Sequence, residues 1–320
     1  MAKDLHPDEY GDIMVEALRP ATIGKNDLVL GFRISDLDDG EKETSVLFRA
    51  RGFQRVDRLI AFEGLVLDLW FGDTELVALE HDQVRHFKDG NFKKAATTTK
   101  LPIEGCKSLA GYAIAELYAV GKGVAVFNGK TWTKIDLGAE DIQLNVAVMH
   151  DDKLYAAGDG GVVLEIDGKK VRRVETPNKE GLSIIEMNVS KSGVFSFAGR
   201  AGLCLQGPIN KLASLKKPDD VEDFVGVAEY KDTYYWSGVG DGHCVGVFVQ
   251  KGKSMDPFFG DLCAELRASG GYMFGTGEGA VFQFDGEEWK GIVLDYDDAE
   301  GWKADLGEFG DAGDDEDDDD

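Results

Sequence analysis

Five histidines, four cysteines and 60 carboxylates are the side chains from which catalysis or metal binding would have to be built in this chain. His6, His81, His86, His150 and His243 are scattered, with no His-Glu-x-x-His or comparable ligand spacing, so each reads as a structural or surface residue. Cys106, Cys204, Cys244 and Cys263 sit singly in apolar, strand-like segments. They read as buried, reduced thiols rather than as a metal site or a disulfide framework. Gly129-Lys130-Thr131 imitates the end of a phosphate-binding loop, but the glycine required five positions before Gly129 is Val124. A hairpin rather than a helix is expected to follow, which leaves Lys130 as a turn residue. No Gly-x-Ser-x-Gly elbow marks a nucleophile. Carboxylates are abundant enough to supply a pair for glycoside hydrolysis, so a sugar- or lactone-processing hydrolase is kept as an alternative. No catalytic residue, cofactor or metal ligand is assigned.

The charge balance narrows the partners. The chain has 320 residues and a net charge of −25, from 60 acids against 35 bases. Nucleic acid and anionic membranes are disfavoured, because binding either requires Lys and Arg to neutralise phosphates, and a basic protein partner is favoured instead. Residues 298 to 320 hold twelve acids and one lysine, so this segment carries −11 and the remainder −14. Self-repulsion predicts an acidic disordered tail over 298–320, following a folded domain over 1–297. No apolar run approaches the roughly 18 residues that span a bilayer. The start, Met1 to Glu9, lacks the basic patch and apolar stretch of a secretory signal, so a cytoplasmic, monomeric protein is expected.

A repeat sets the fold. Leu154-Tyr155-Ala156-Ala157-Gly158 leads through Val162 to Ile166 into Asp167-Gly168. Relatives of this unit begin at Leu76, Leu117 and Tyr272 and lead to Asp89-Gly90, Asn128-Gly129 and Asp285-Gly286. Taking the second turn as a marker gives Gly52, Gly90, Gly129, Gly168, Gly207, Gly252 and Gly286, at spacings of 38, 39, 39, 39, 45 and 34. Asn-Gly and Asp-Gly between apolar runs are strong hairpin signals because the favoured turn needs positive φ at both central positions. Aromatics follow three marks, at Phe92, Trp132 and Trp289. One period reads as four strands, 143–150, 154–158, 162–167 and 170–175, with no sustained helical periodicity. Short strands at a period near 40 predict an all-β chain, a seven-bladed β-propeller of four-stranded antiparallel blades. The terminal repeats are the faintest, which leaves six or eight blades as alternatives. Blade 1 would use 13–18, 27–35, 44–51 and 53–59 and blade 7 would end at 288–295, unless 13–18 closes the ring by completing blade 7.

Around Leu117 to Trp132, Leu154 to Gly168 and Tyr272 to Trp289 the chain resembles bacterial propellers of the WD40-like and BNR-like type. The Gly-His and Trp-Asp dipeptides of WD40 blades are missing. Gly129-Lys130-Thr131-Trp132 looks like the end of a sialidase Asp-box, but with Phe127 and Ala125 in place of its aspartate and serine. Some propellers of this type are immunity proteins encoded beside toxins of interbacterial competition. The resemblance thus implies a binding protein and speaks against sialidase activity.

In a propeller, the loops between second and third strands gather around one mouth of the axial channel. They present Lys122, Asp159, Arg200, Asp241 with His243, and Glu278, interleaved with glycines. These six residues are the expected partner-binding set. The inter-blade connections add Glu104, Glu140, Asp141, Asp219, Asp220, Glu222, Asp223, Asp256 and Asp261, which predicts an acidic face, with Pro257-Phe258-Phe259 and Phe224-Val225 as apolar anchors near it. The reading is an immunity or inhibitor protein that occludes a basic toxin. An acidic-tailed chaperone or scaffold for basic proteins is the alternative of another class.

Overall fold

The computed structural model describes residues 13–24, 27–37, 42–88, 90, 92, 96–138, 142–260, 265–297 and 301–307. Valine, isoleucine, leucine and aromatic residues suit a pleated, packed surface, and they dominate the short segments that form strands, such as Gly123–Phe127 and Val163–Asp167. The strands assemble into seven antiparallel sheets. Blade 1 is Ile13–Ala17, Asp27–Asp36, Glu43–Arg51 and Arg55–Glu63, with Ala21–Gly24 paired to the start of its second strand. Blade 2 is Asp68–Gly72, Glu75–Leu79, Gln83–Phe87 and Thr97–Lys100. Blade 3 is Ser108–Ala110, Leu117–Gly121, Gly123–Phe127 and Trp132–Ile135. Blade 4 is Leu144–His150, Lys153–Gly158, Val163–Asp167 and Lys170–Arg173. Blade 5 is Ile184–Val189, Val194–Gly199, Cys204–Pro208 and Ala213–Ser214. Blade 6 is Asp223–Tyr230, Thr233–Gly240, His243–Lys251 and Ser254–Phe259. Blade 7 is Leu266–Ser269, Tyr272–Gly277, Ala280–Phe284, Trp289–Asp297 and a fifth strand, Gly301–Gly307.

First strands of neighbouring blades touch one another from blade 2 round to blade 7, and Ala21–Gly24 of blade 1 touches the first strand of blade 2, which places them around a central axis. The core is correspondingly divided into wedges, each built from the facing sides of two blades. Trp236, Phe224 and Phe248 of blade 6 pack with Ala198 and Cys204 of blade 5, and Phe274 and Ile292 of blade 7 pack with Phe32, Phe48 and Phe53 of blade 1. A blade covered on both sides has no solvent-facing side to keep polar, which explains the blurred alternation of the sequence. The aromatics after the glycine marks close the outer part of their blades: Trp132 lies 5.2 Å from Phe127, Trp289 lies 5.0 Å from Phe284, and Phe92 lies 6.3 Å from Phe87.

Several local readings shift. Asp167 is still paired, to Lys170, so the two central turn residues in blade 4 are Gly168 and Lys169. Gly207 lies within its strand opposite Phe195, and that turn falls later, at Ile209-Asn210, closed by Lys211 N donating to Pro208 O. Double positive φ occurs at one mark, Gly52-Phe53, and in the hairpins between first and second strands at Asp73-Thr74, Asp151-Asp152 and Lys231-Asp232. Ile13–Ala17 pairs with Asp27–Asp36, from Ile13↔Asp36 to Ala17↔Phe32, and so belongs to blade 1. Blade 7 meets it through the shared core, the bridge Glu16↔Glu278 and a hydrogen bond from Gly279 N to Val15 O (3.0 Å).

The boundary at residue 297 also moves. Gly301–Gly307, inside the expected tail, pairs with Trp289–Asp297 from Gly291↔Gly307 to Asp297↔Gly301. Trp302 and Ala304 bury their side chains in the wedge shared with blade 1, a gain that outweighs local charge repulsion. Residues 298–300 and 308–320, the rest of the expected tail, lie outside the described residues, as does Cys263.

Candidate functional site

The mouth at the junctions of second and third strands is shaped by a recurrent departure from ideal strand geometry. In blades 4, 5 and 6 the ladder between first and second strands skips one residue, between Leu144 and Val146, Ile184 and Glu186, and Phe224 and Gly226. A bulge of this kind leaves one residue unpaired and re-aims its side chain. The residues so released are Asn145, Ile185 and Val225, and all three line a cavity of about 700 Å³. Leu67, Lys107 and Glu265, which directly precede the first strands of blades 2, 3 and 7, line it as well. Blade 1 contributes Arg19. Ala17 pairs with Phe32 and Ala21 with Val29, so four steps of chain oppose three, and the excess residue falls at Leu18-Arg19-Pro20. Every blade therefore supplies one side chain to the ring.

The loop residues are held by their backbones. The N–H groups of Lys122, Asp159 and Arg200 donate to the carbonyls of Glu104, Gln143 and Ser183 at 2.8, 2.9 and 3.0 Å. The residue before each is glycine because a β-carbon there has no room. At Gly158 it would stand 2.1 Å from Gln143 O, and at Gly199 2.2 Å from Ser183 O. Asp159 and Arg200 each open a single 3₁₀ turn.

At the axis, Arg19 forms ion pairs with Glu186 of blade 5 (2.8 Å), Glu265 of blade 7 (3.4 Å) and Asp68 of blade 2 (3.5 Å). These carboxylates hold its pKa above the ordinary arginine value even though burial opposes the charge. Burial pushes Glu186 up to about 7, against the pull of Arg19 and with repulsion from Glu265 added. Arg267, two residues beyond Glu265, is exposed, and desolvation, with repulsion from Arg19, lowers its pKa. Burial likewise pushes the Cys106 thiol up to about 12 and the Cys204 thiol up to about 11, and Cys106, Cys204 and Cys244 are free thiols. Among the described residues no group of three or more His, Cys, Asp and Glu side chains is placed to hold a metal ion. Among the described residues no helix is long and apolar enough to cross a membrane.

Of the six residues expected to bind a partner, Lys122, Asp159 and Arg200 line the cavity, while Asp241, His243 and Glu278 are not among its lining residues. Asp241, with φ of 50°, and Gly242, with φ of 79°, are the central pair of a tight turn between Gly240 and His243, and Glu278 bridges Glu16. Inside the cavity Asp159 accepts hydrogen bonds from Asn145 Nδ2 and Ser183 Oγ, both at 3.0 Å, and Arg200 pairs with Asp223. The acidic character expected of this face does not extend to the cavity itself. Arg19, Arg33, Lys107, Lys122 and Arg200 line the cavity against Asp159, Glu186 and Glu265. The first-strand ring supplies cations that the loop residues do not reveal, and Asp223 is turned onto Arg200. Glu140, Asp141 and Asp261 lie outside the described residues. The expected anchors are also relocated: Phe224 is fully buried, and Phe258 and Phe259 pack on Tyr235 and Trp289 at the outer part of blades 6 and 7. Val225 alone of that set reaches the cavity. Arg19, Lys107, Asn145, Ile185 and Glu186 were not singled out from sequence. For Lys107, Asn145 and Ile185 the one available signal is the near-regular spacing of 67, 107, 145, 185, 225 and 265, which includes neither Arg19 nor Glu186.

No protein-family model matches the chain. The Immune protein Tsi7 of Pseudomonas aeruginosa is 26% identical over 181 residues, covering 52% of this chain and 56% of that protein, so the match spans about half the length of the curated relative. Solved structures share the architecture. The Saccharomyces cerevisiae Sqt1 structure has a TM-score of 0.60 at 10% identity, over 89% of this chain and 94% of that one. The WD40 propeller domain of Doa1 has a TM-score of 0.63 at 10% identity, over 84% and 95%. A structure of YCF48 bound to D1 peptide has a TM-score of 0.58 at 11% identity, over 84% and 95%. At such identities the likeness carries the fold: this chain is an all-β, WD40-like propeller of seven blades.

Proposed function

We propose that the chain is an immunity protein, a non-catalytic propeller that binds a toxin protein and blocks it by occlusion, using the axial mouth as its contact face. The observation that carries this reading is the 26% identity over 181 residues to the Immune protein Tsi7. The mouth supports it with the anatomy of a binding hot spot: part-exposed Leu67, Ile185 and Val225 surrounded by ionic and amide groups on a rigid ring. In this reading the protein acts as a monomer in the cytoplasm and needs no cofactor. The net charge of −25 favours a partner that is basic over much of its surface and accelerates encounter with it.

Co-expression with the toxin genes adjacent to this one in its genome tests the reading. Growth should be restored by the full chain with one such toxin, and the two proteins should co-elute at a 1:1 ratio. Absence of both protection and co-elution for every adjacent gene overturns it. Deleting 308–320 separates it from the acidic-tailed chaperone, which needs that segment, since occlusion by the mouth should survive the deletion.

A further inference from the structure

The mouth carries its charges unevenly. Blades 3 and 5 present Lys107, Lys122 and Arg200 to the cavity, with Asp159 of blade 4 between them accepting from Asn145 and Ser183 and Glu186 of blade 5 turned to Arg19, whereas the rim of blades 6 and 7 presents exposed Asp241 and Glu278. The cations differ in how far they are already satisfied. Arg200 is paired with Asp223. Lys107 Nζ reaches a neutral acceptor, the Asn145 amide oxygen, at 2.9 Å. Lys122 is exposed and its ammonium has no hydrogen-bond or ion-pair partner among the described residues. Arg33 pairs through Nη2 with Glu16 at 2.9 Å, yet its Nε is a buried donor without a partner. Between these groups lie the part-exposed aliphatic side chains of Ile185 and Val225.

We propose that the mouth receives a loop of the partner protein that carries a carboxylate beside an aliphatic side chain, the carboxylate going to Lys122 and Lys107 and the aliphatic group to Ile185 and Val225. The inference rests on the toxin-binding reading and specifies what enters the site. Two incompletely satisfied ammonium groups suit one or two carboxylates. A polyphosphate chain would extend beyond them into the acidic rim of a molecule with a net charge of −25, where each further phosphate is repelled. The acidic side of the mouth faces a basic flank of the same partner, so that opposite charges on the two sides fix the rotation of the partner about the axis. The inserted loop is thus acidic although the partner as a whole is basic.

The test uses the purified full chain and the toxin against which it protects. Isothermal titration compares the wild type with Lys107→Glu/Lys122→Glu, Lys107→Gln/Lys122→Gln and Asp241→Lys/Glu278→Lys. All four substituted positions are exposed, and unchanged thermal melting confirms folding. The lysine reversal is expected to weaken binding by about 100-fold, chiefly through faster release, and the glutamine pair by about tenfold. Reversing one acidic residue of the toxin to lysine should restore binding to the Lys→Glu chain. Unchanged or tighter binding by both lysine variants would overturn the inference while leaving the toxin-binding reading intact. A wild-type chain that binds no toxin overturns both.

Discussion

The guanidinium of Arg19, on blade 1, lies 2.8 Å from the carboxylate of Glu186, on blade 5, across the axis of the ring and 167 residues away in sequence. The bulge at Leu18-Arg19-Pro20 aims the arginine inward, and its further pairs with Asp68 and Glu265 join four of the seven blades at one side chain. Wedge packing ties each blade to its two neighbours. Arg19 is what ties blades that are not neighbours.

Replacing Arg19 by methionine keeps much of the side-chain volume and removes the charge, leaving Glu186 and Asp68 buried without their cation. Breaking a buried pair in this way typically costs about 3–5 kcal/mol. Urea denaturation should show a loss of this order, and Arg19→Lys, which keeps the charge but not the fork of donors, should recover part of it. A midpoint within error of the wild type for Arg19→Met would show that the axial cluster does not support the ring.

Glu186 gives the stability a pH dependence of unusual sign for a carboxylate. Burial raises it to about 7 from an ordinary value of 4.5, so the folded state holds its proton more tightly than the unfolded chain. Its contribution is complete below pH 4.5 and is lost as pH rises through 7, an effect on the order of 3 kcal/mol. Glu165 runs the other way. Arg172, followed by Tyr155 and Lys153, holds it down at about 2, so its contribution is present above 4.5 and disappears as pH falls through 2. Denaturant midpoints measured from pH 5 to 8 should fall with rising pH in the wild type and flatten in Glu186→Gln. An equal slope in both proteins would assign the pH dependence elsewhere.

Gly158→Ala and Gly199→Ala test the close approach of backbone at the mouth. The added carbon would stand 2.1 Å from Gln143 O in the first case and 2.2 Å from Ser183 O in the second, so backbone must move. Overpacking of this kind costs roughly 1–3 kcal/mol, and thermal melting should report it. Because Asp159 and Arg200 directly follow these glycines, toxin affinity should fall in the same variants.

The fifth strand of blade 7 predicts a sharp difference between two truncations. Ending the chain after residue 300 removes Trp302 and Ala304 from the wedge between blades 7 and 1, and the melting temperature should drop by several degrees. Ending it after Gly307 keeps every described contact of that strand and should leave melting unchanged. Equal melting of the two truncated chains would show that the strand is dispensable.

The repeat was legible because each blade is a local unit whose turns and apolar runs are written in consecutive residues. The strands of blade 4, expected at 143–150, 154–158, 162–167 and 170–175, are observed at Leu144–His150, Lys153–Gly158, Val163–Asp167 and Lys170–Arg173. Lys122, Asp159 and Arg200 were found at the mouth for the same reason, since their loops join consecutive strands. Asp241 and Glu278 occupy corresponding loops but are not among the residues that line the cavity, a distinction between blades that the repeat does not carry.

Local order along the chain was therefore sufficient for an all-β architecture, seven blades and the positions of the rim loops, because hairpins are made by neighbours. Which charges meet at the axis was settled only when the ring closed. Arg19, Asp68, Glu186 and Glu265 belong to four blades, and no periodicity of 40 residues encodes that a one-residue bulge turns one of them across the channel toward the other three. The sign of the mouth follows from the same closure, since a sum over the sequence counts every carboxylate equally, while the fold turns some onto guanidinium and amide partners and leaves Lys107 and Lys122 facing the opening.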